Sequence, residues 1–190
     1  MELFREIRLK AGKFVLSRRL LRRDRRVSYT SIDQVKNILI VWDASKPQEF
    51  TSLSKFHLKM QERDINVDVL GFYPGDSLPD QYTAIRYFTC IKSNELNFYY
   101  IPVVPEVEKF IKTTYDVLID INFEQLFPLL YISTLSEARF KTGLSDVQPG
   151  KAPFDLLMAI NKPVSIDDYL TQVLHYLEMI NSGTEEKAEM

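Results

Sequence analysis

The sequence predicts an α/β fold, a single doubly wound, mostly parallel sheet of Rossmann-like kind, preceded by a basic N-terminal helix. Three observations carry this reading. Runs such as Ile38 to Trp42 and Tyr115 to Ile121 are apolar almost throughout, as in strands covered on both faces. Segments with apolar residues at helical spacing separate them, and such alternation gives parallel neighbours joined by right-handed crossovers. At 190 residues the chain also suffices for one such core, since a domain of roughly 150 residues buries about 70% of its unfolded surface.

The order of elements follows from Val35 onward. KNILIVWDAS reads as a strand, and the next segment as a helix with Phe50, Leu53, Phe56, His57 and Met60 along one side. INVDVLGFY, from Ile65 to Tyr73, alternates like a strand with one wetter face. Residues 74 to 96 stay unassigned: PGDSLPD marks a turn, and Tyr82 to Ile91 fits either period. NFYYIPVV suggests a short strand, VPEVEKFIKT a helix with Val107, Phe110 and Ile111 inward, and YDVLIDI a buried strand. Asn122 followed by Gln125 ahead of Leu126, Leu129, Leu130 and Ile132 has the form of a helix N-cap with a reciprocal partner. SEARFKTG and APFDLLMAIN read as two more strands. Ser165 and Asp168 open a helix carrying Ile166, Tyr169, Leu170, Val173, Leu174, Leu177 and Ile180 at i, i+3, i+4, i+7 spacing. The organisation expected is an arm at 1–34, a Rossmann-like domain at 35–181 and a polar tail at 182–190.

Composition narrows the class. The single Cys90 permits no internal disulfide, and no Cys/His cluster suggests zinc, so a reducing, cytoplasmic setting is expected. No apolar run has the length of a signal-peptide core or a membrane span. The net charge of -2 hides an asymmetry: residues 1 to 26 hold ten Lys/Arg and three acids, a balance of +7 that leaves -9 for the remainder.

In that arm Leu3, Phe4, Ile7, Ala11, Phe14 and Val15 share one side of a 3.6-residue helix, and its continuation brings Arg18, Arg22 and Arg25 to the same side. Three uses compete. The stripe packs on the protein's own sheet or on a second copy, making a homodimer or adaptor. The helix lies on an anionic membrane surface. Or Arg18, Arg19, Arg22, Arg23, Arg25 and Arg26 contact phosphates of RNA or the ribosome, although no RNA-binding motif accompanies them. The leading expectation is a non-catalytic cytoplasmic domain that binds a macromolecular partner or anionic surface through these six arginines.

A rival site lies at the carboxyl ends of the strands, where doubly wound sheets bind ligands. Asp43, Ser45, Asn122 and Asn161 end three predicted strands there, with Arg139 and Lys141 near by. This crevice would suit a phosphorylated or sugar-like small molecule. Asp, Ser and Asn after a strand are also ordinary turn residues. No glycine lies between Ile38 and Gly71, so the first strand lacks a dinucleotide fingerprint or phosphate-cradling loop, and no cofactor is expected. His57, His175 and Cys90 have no companions that would make a catalytic set or a metal site.

YDVLIDINFEQLFPLLYISTLSEARFKTG with KNILIVWDAS resembles the N-terminal half of bacterial heptosyltransferase-like glycosyltransferases, which implies a Rossmann-type half-domain. Where that family carries a Gly-Asp pair whose carboxylate serves as base, this sequence has Pro47-Gln48, and a glutamine amide cannot accept the proton. The nucleotide-sugar domain is also missing, so no independent glycosyltransferase is expected. Most of the chain is similar to a family of unknown function found in Bacteroidota, through its basic N-terminal helix, its DVLIDIN to FKTG core and its FDLLM strand. That second likeness implies a fold and no activity.

Overall fold

The computed structural model describes residues 2–29, 31–82, 84–145, 153–159 and 165–185, the last five by their backbone alone. The strands are β1 Asn37–Asp43, β2 Asn66–Tyr73, β3 Phe88–Lys92, β4 Val117–Ile121, β5 Phe140–Leu144 and β6 Leu156–Met158. The helices are α1 Glu2–Leu20, α2 Phe50–Gln61, α3 Pro105–Lys112, α4 Phe127–Leu135 and α5 Ile166–Glu185. All neighbouring strands are parallel, in the order β3-β2-β1-β4-β5-β6. This is the doubly wound Rossmann order, with its reversal between β1 and β4.

Side chains of a strand alternate between faces, and β1 supplies both cores. Ile38, Ile40 and Trp42 pack with Leu53, Phe56 and Met60 of α2 and with Tyr169, Leu170 and Val173 of α5. Leu39 and Val41 pack on the other face with Val107 and Ile111 of α3, Leu129 and Ile132 of α4, and Leu16 of α1. Two covered faces explain why this strand is apolar without alternation. The N-terminal helix is thus built into the second core.

Several local expectations need correction. NFYYIPVV forms no strand: Leu96 and Pro102 make one antiparallel bridge, and Tyr100 has φ 59°. The cause is Asn97, whose side-chain oxygen accepts the N–H groups of Tyr99 (2.8 Å) and Ile101 (3.1 Å) and so draws the backbone into a turn. Asn122 is not the helix cap either. Its side chain accepts from the Leu126 N–H (2.8 Å) and donates to the Leu126 carbonyl (3.0 Å), closing a loop, while α4 begins at Phe127 with Pro128 in its first turn. The unassigned stretch contains β3, and α5 continues to Glu185, into the segment read as tail.

The largest departure concerns α1. The helix ends at Leu20, so Arg22, Arg23, Arg25 and Arg26 do not prolong it; beyond it the chain runs alongside the start of β5, where Ser28 donates to the Arg139 carbonyl at 3.1 Å. Most of its apolar stripe faces solvent: Leu3 is 72%, Phe4 58%, Ile7 55% and Phe14 60% exposed, while Ala11 and Val15 are partly buried. The buried residues are Gly12 and Leu16, about 140° around the helix from that stripe. A Cβ on Gly12 would lie 2.4 Å from the Tyr99 carbonyl oxygen and 2.8 Å from a Phe127 ring carbon, so only glycine permits this approach.

Gly12→Ala tests the packing. In an unconstrained helix alanine gains about 1 kcal/mol over glycine. Here the added methyl must displace α1, with an expected net loss of about 1–3 kcal/mol in urea melts and faster amide exchange across residues 2–20. A stabilised variant would show that α1 is not held by this contact.

Candidate functional site

The polar residues at the carboxyl edge are turn-makers first. Trp42 pairs with Ile121, so Asp43 and Asn122 end adjacent strands at the same level, at the point where strand order reverses. The Asp43 carboxylate accepts the Ser45 N–H at 3.0 Å. Asn122 is committed to Leu126 as described. Across the gap, Lys46 Nζ donates to Glu124 Oε1 at 2.8 Å, an ion pair that spans the loops after β1 and β4. The structure therefore brings Asp43, Ser45 and Asn122 to one edge, as expected, with the side chains of Asp43 and Asn122 held in turns. Asn161 lies outside the described residues.

Lys141 is elsewhere. It pairs with Leu118, which pairs with Leu39, four residues before Asp43 on β1 and so about 13 Å toward the opposite edge. It is 1% exposed, and Nζ donates to the carbonyls of Ser133 (2.8 Å) and Thr134 (3.1 Å) in the last turn of α4. A cation there satisfies carbonyls that have no intrahelical donor and complements the negative helix end. Burial, with Arg25 and Arg23 near by, pushes its pKa down to about 7, while Asp155 opposes the shift.

Two of the arginines bind at or just beyond the same helix end, and a third ties α1 to α3 and α4. Arg23 donates to the Leu135 carbonyl (2.6 Å) and pairs with Glu137 (3.0 Å). Arg25 grips Asp155 through two bonds of 2.8 and 2.6 Å and reaches the Ala138 and Arg139 carbonyls. Arg19 bonds to the Tyr131 hydroxyl and to Glu108 at 2.7 Å. Arg18 lies over the Phe14 ring at 5.2 Å. Arg22 and Arg26 are exposed, have no acidic partner among the described residues, and line an open cleft of about 520 Å³ with Arg139 and Glu137. Among the described residues the six arginines are thus three structural ties, one ring contact and two cations without an acidic partner.

Other chemical groups are subdued. Asp120 is buried on β4, where its carboxylate accepts from the Ser133 hydroxyl and the Asn122 N–H; burial outweighs both and raises its pKa to about 6. The His57 ring stacks on Tyr87 at 3.8 Å, and burial lowers its pKa. Burial pushes the Cys90 thiol up to about 12, far from thiolate chemistry at neutral pH. Among the described residues no group of three or more His, Cys, Asp or Glu is placed to hold a metal, and no helix is long and apolar enough to cross a membrane.

One surface has the character of a binding face. The outward stripe of α1 continues onto the loop before α3, where Phe4 meets Phe98 edge to face at 5.7 Å and Phe98 meets Tyr99 at 5.5 Å. Lys10 and Arg18 flank it without an acidic partner among the described residues, and Arg18 lies over the Phe14 ring. The sequence reading identified the stripe but could not orient it; Gly12, opposite the stripe in mid-helix, was the sign of which side packs.

A model of a family of unknown function, DUF6913, matches residues 8–180. No curated protein and no solved structure matches the chain, so the likeness to heptosyltransferases has no named relative behind it.

Lys141 gives a test of the helix-end arrangement. Its folded pKa lies below the ordinary lysine value, so between about pH 7 and 10.5 the unfolded state binds more protons and stability rises with pH. The expected gain is about 2–3 kcal/mol from pH 7 to 9 in urea melts. Lys141→Met should flatten that rise; an unchanged slope would remove Lys141 as its source.

Proposed function

We propose that this chain, which belongs to the family DUF6913, is a peripheral protein that rests on an anionic membrane surface through the outward face of α1. The observation that carries the reading is the orientation of the helix. Its glycine side is packed on the domain with Leu9 and Leu16, and Leu3, Phe4, Ile7 and Phe14 are left to solvent. A contiguous apolar patch on a folded domain marks an interaction surface.

Charge selects the partner. Cations around an apolar face with leucine and aromatic side chains suit a helix lying in the plane of an anionic interface, where apolar groups enter the acyl boundary and basic groups meet headgroups. RNA is less well served, because Arg19, Arg23 and Arg25 are committed to Glu108, Glu137 and Asp155. The membrane reading needs only the exposed face and the cations without partners.

Co-sedimentation with vesicles tests it. The protein should bind vesicles rich in phosphatidylglycerol, bind pure phosphatidylcholine weakly, and release as salt rises. Replacing Leu3, Phe4, Ile7 and Phe14 together with serine should abolish binding while the circular dichroism spectrum is kept. Lys10→Gln with Arg18→Gln should lower partitioning about 30-fold, at roughly 1 kcal/mol per cation. Equal binding to both lipids, or a doubled mass in light scattering that the serine variant abolishes, would replace the membrane by another partner.

A further inference from the structure

The inner side of α1 roofs a cavity of about 470 Å³ at the carboxyl edge of the sheet. Its walls come from the end of β2, the loop before α3, the loop after β4 and the first turn of α4. This is where a doubly wound sheet offers a ligand site, and the volume falls in the range of about 300–1,000 Å³ usual for small-molecule pockets. Asp43, Ser45, Asn122 and Lys141, the described residues of the crevice expected from the sequence, do not line it.

Arg5, Leu9 and Lys13 stand at i, i+4 and i+8 and so share the helix side that faces this space, and Arg8 joins them in the lining. Arg5 and Lys13 have no acidic partner among the described residues. Arg8 is held rigidly: its Nε donates to the Phe98 carbonyl at 2.7 Å, and its guanidinium lies 4.7 Å from the Phe98 ring centroid and 4.2 Å from that of Tyr100. Neither contact uses its terminal nitrogens, which stay available as donors. Among the described residues Glu124 is the one carboxylate in the lining, and Lys46 pairs with it.

The backbone adds an independent sign. Among the described residues, three non-glycine positions have positive φ, and two of them, Tyr100 at 59° and Gln125 at 53°, line this cavity. Strained backbone of this kind gathers at ligand sites, where it fixes the shape of the pocket. Leu126, Phe127 and Leu130 give the wall an apolar surface.

We infer that this cavity binds a small phosphomonoester whose remaining portion is a ring or a short acyl group. Two guanidinium groups and an ammonium match a dianionic phosphate, and the apolar wall receives the rest of the molecule. The inference stands on the cavity and does not require the membrane contact, which uses the other side of α1.

Isothermal titration calorimetry without vesicles tests it, with three phosphate probes: a nucleoside monophosphate, dihexanoyl phosphatidic acid below its micelle concentration, and inorganic phosphate. Their uncharged counterparts, the nucleoside and dihexanoylglycerol, serve as controls. One of the two organic phosphates should bind saturably, at least tenfold more tightly than inorganic phosphate or its own uncharged counterpart. The nucleotide as preferred probe identifies a soluble metabolite, and the phosphatidic acid a lipid headgroup. Affinity should fall as pH drops through about 6, where the phosphate loses its second charge. Arg5→Ala with Lys13→Ala should weaken binding at least tenfold with an unchanged Tm. The serine variant of Leu3, Phe4, Ile7 and Phe14 should bind normally, which separates this site from the membrane face. No saturable heat with any probe, or affinity untouched in the Arg5/Lys13 variant, would overturn the assignment.

Discussion

The absence of a side chain at Gly12 determines how the N-terminal helix meets the domain. Because the backbone of α1 reaches the Tyr99 carbonyl and the Phe127 ring there, the helix can seat only on that side. Its rotation then follows: Leu16 goes into the core, Arg5 and Lys13 turn toward the carboxyl-edge cavity, and Leu3, Phe4, Ile7 and Phe14 are left outside. A helix seated on its stripe would have buried more apolar area, and burial is worth about 25 cal/mol per Å². That the most apolar side is left outside, at this cost in burial, is why it reads as a surface with a use.

A second constraint acts at the far end of the domain. The last turn of α4 ends beside the start of β5, and its carbonyls meet Lys141 and Arg23 while Arg25 takes the carbonyls just beyond. Asp155 closes the arrangement by accepting from Arg25 and from the Lys141 backbone N–H. Cations that look like a free basic run in the sequence are therefore partly partners of the last carbonyls of α4, beyond the one that the Ser136 N–H takes. The ties also hold the chain after α1 against the sheet, so the N-terminal segment is secured at Gly12 and again at the arginines.

Much of the fold was legible because periodicity reports burial directly. β1 and β4 could be read from their continuous apolar runs, α2 and α5 from their spacing, and the α/β class from their alternation. What failed depended on side chains binding backbone far from the periodic pattern. Asn97 turned a strand-like sequence into a loop, Asn122 closed a turn instead of capping a helix, and Arg23 and Arg25 found carbonyls more than a hundred residues away. The sequence pointed to the carboxyl edge, but the cavity found there is lined largely by residues of α1 and of loops rather than by the polar residues at the strand ends. Lys141 was misplaced because a strand's sequence does not reveal at which level a lysine enters the sheet.

The course of α1 has a geometric corollary. Its first turns border the carboxyl edge beside Phe72 and Gln125, and its last residue borders the cleft formed by Thr114 and Arg139 at the other end. The helix axis, about 28 Å long, therefore runs against the strand direction along the whole depth of the sheet. Any flat body touching its outer side would lie alongside the strands, with both ends of the sheet opening sideways at equal height. Molecules could then enter and leave either mouth laterally while the docked side stayed occupied.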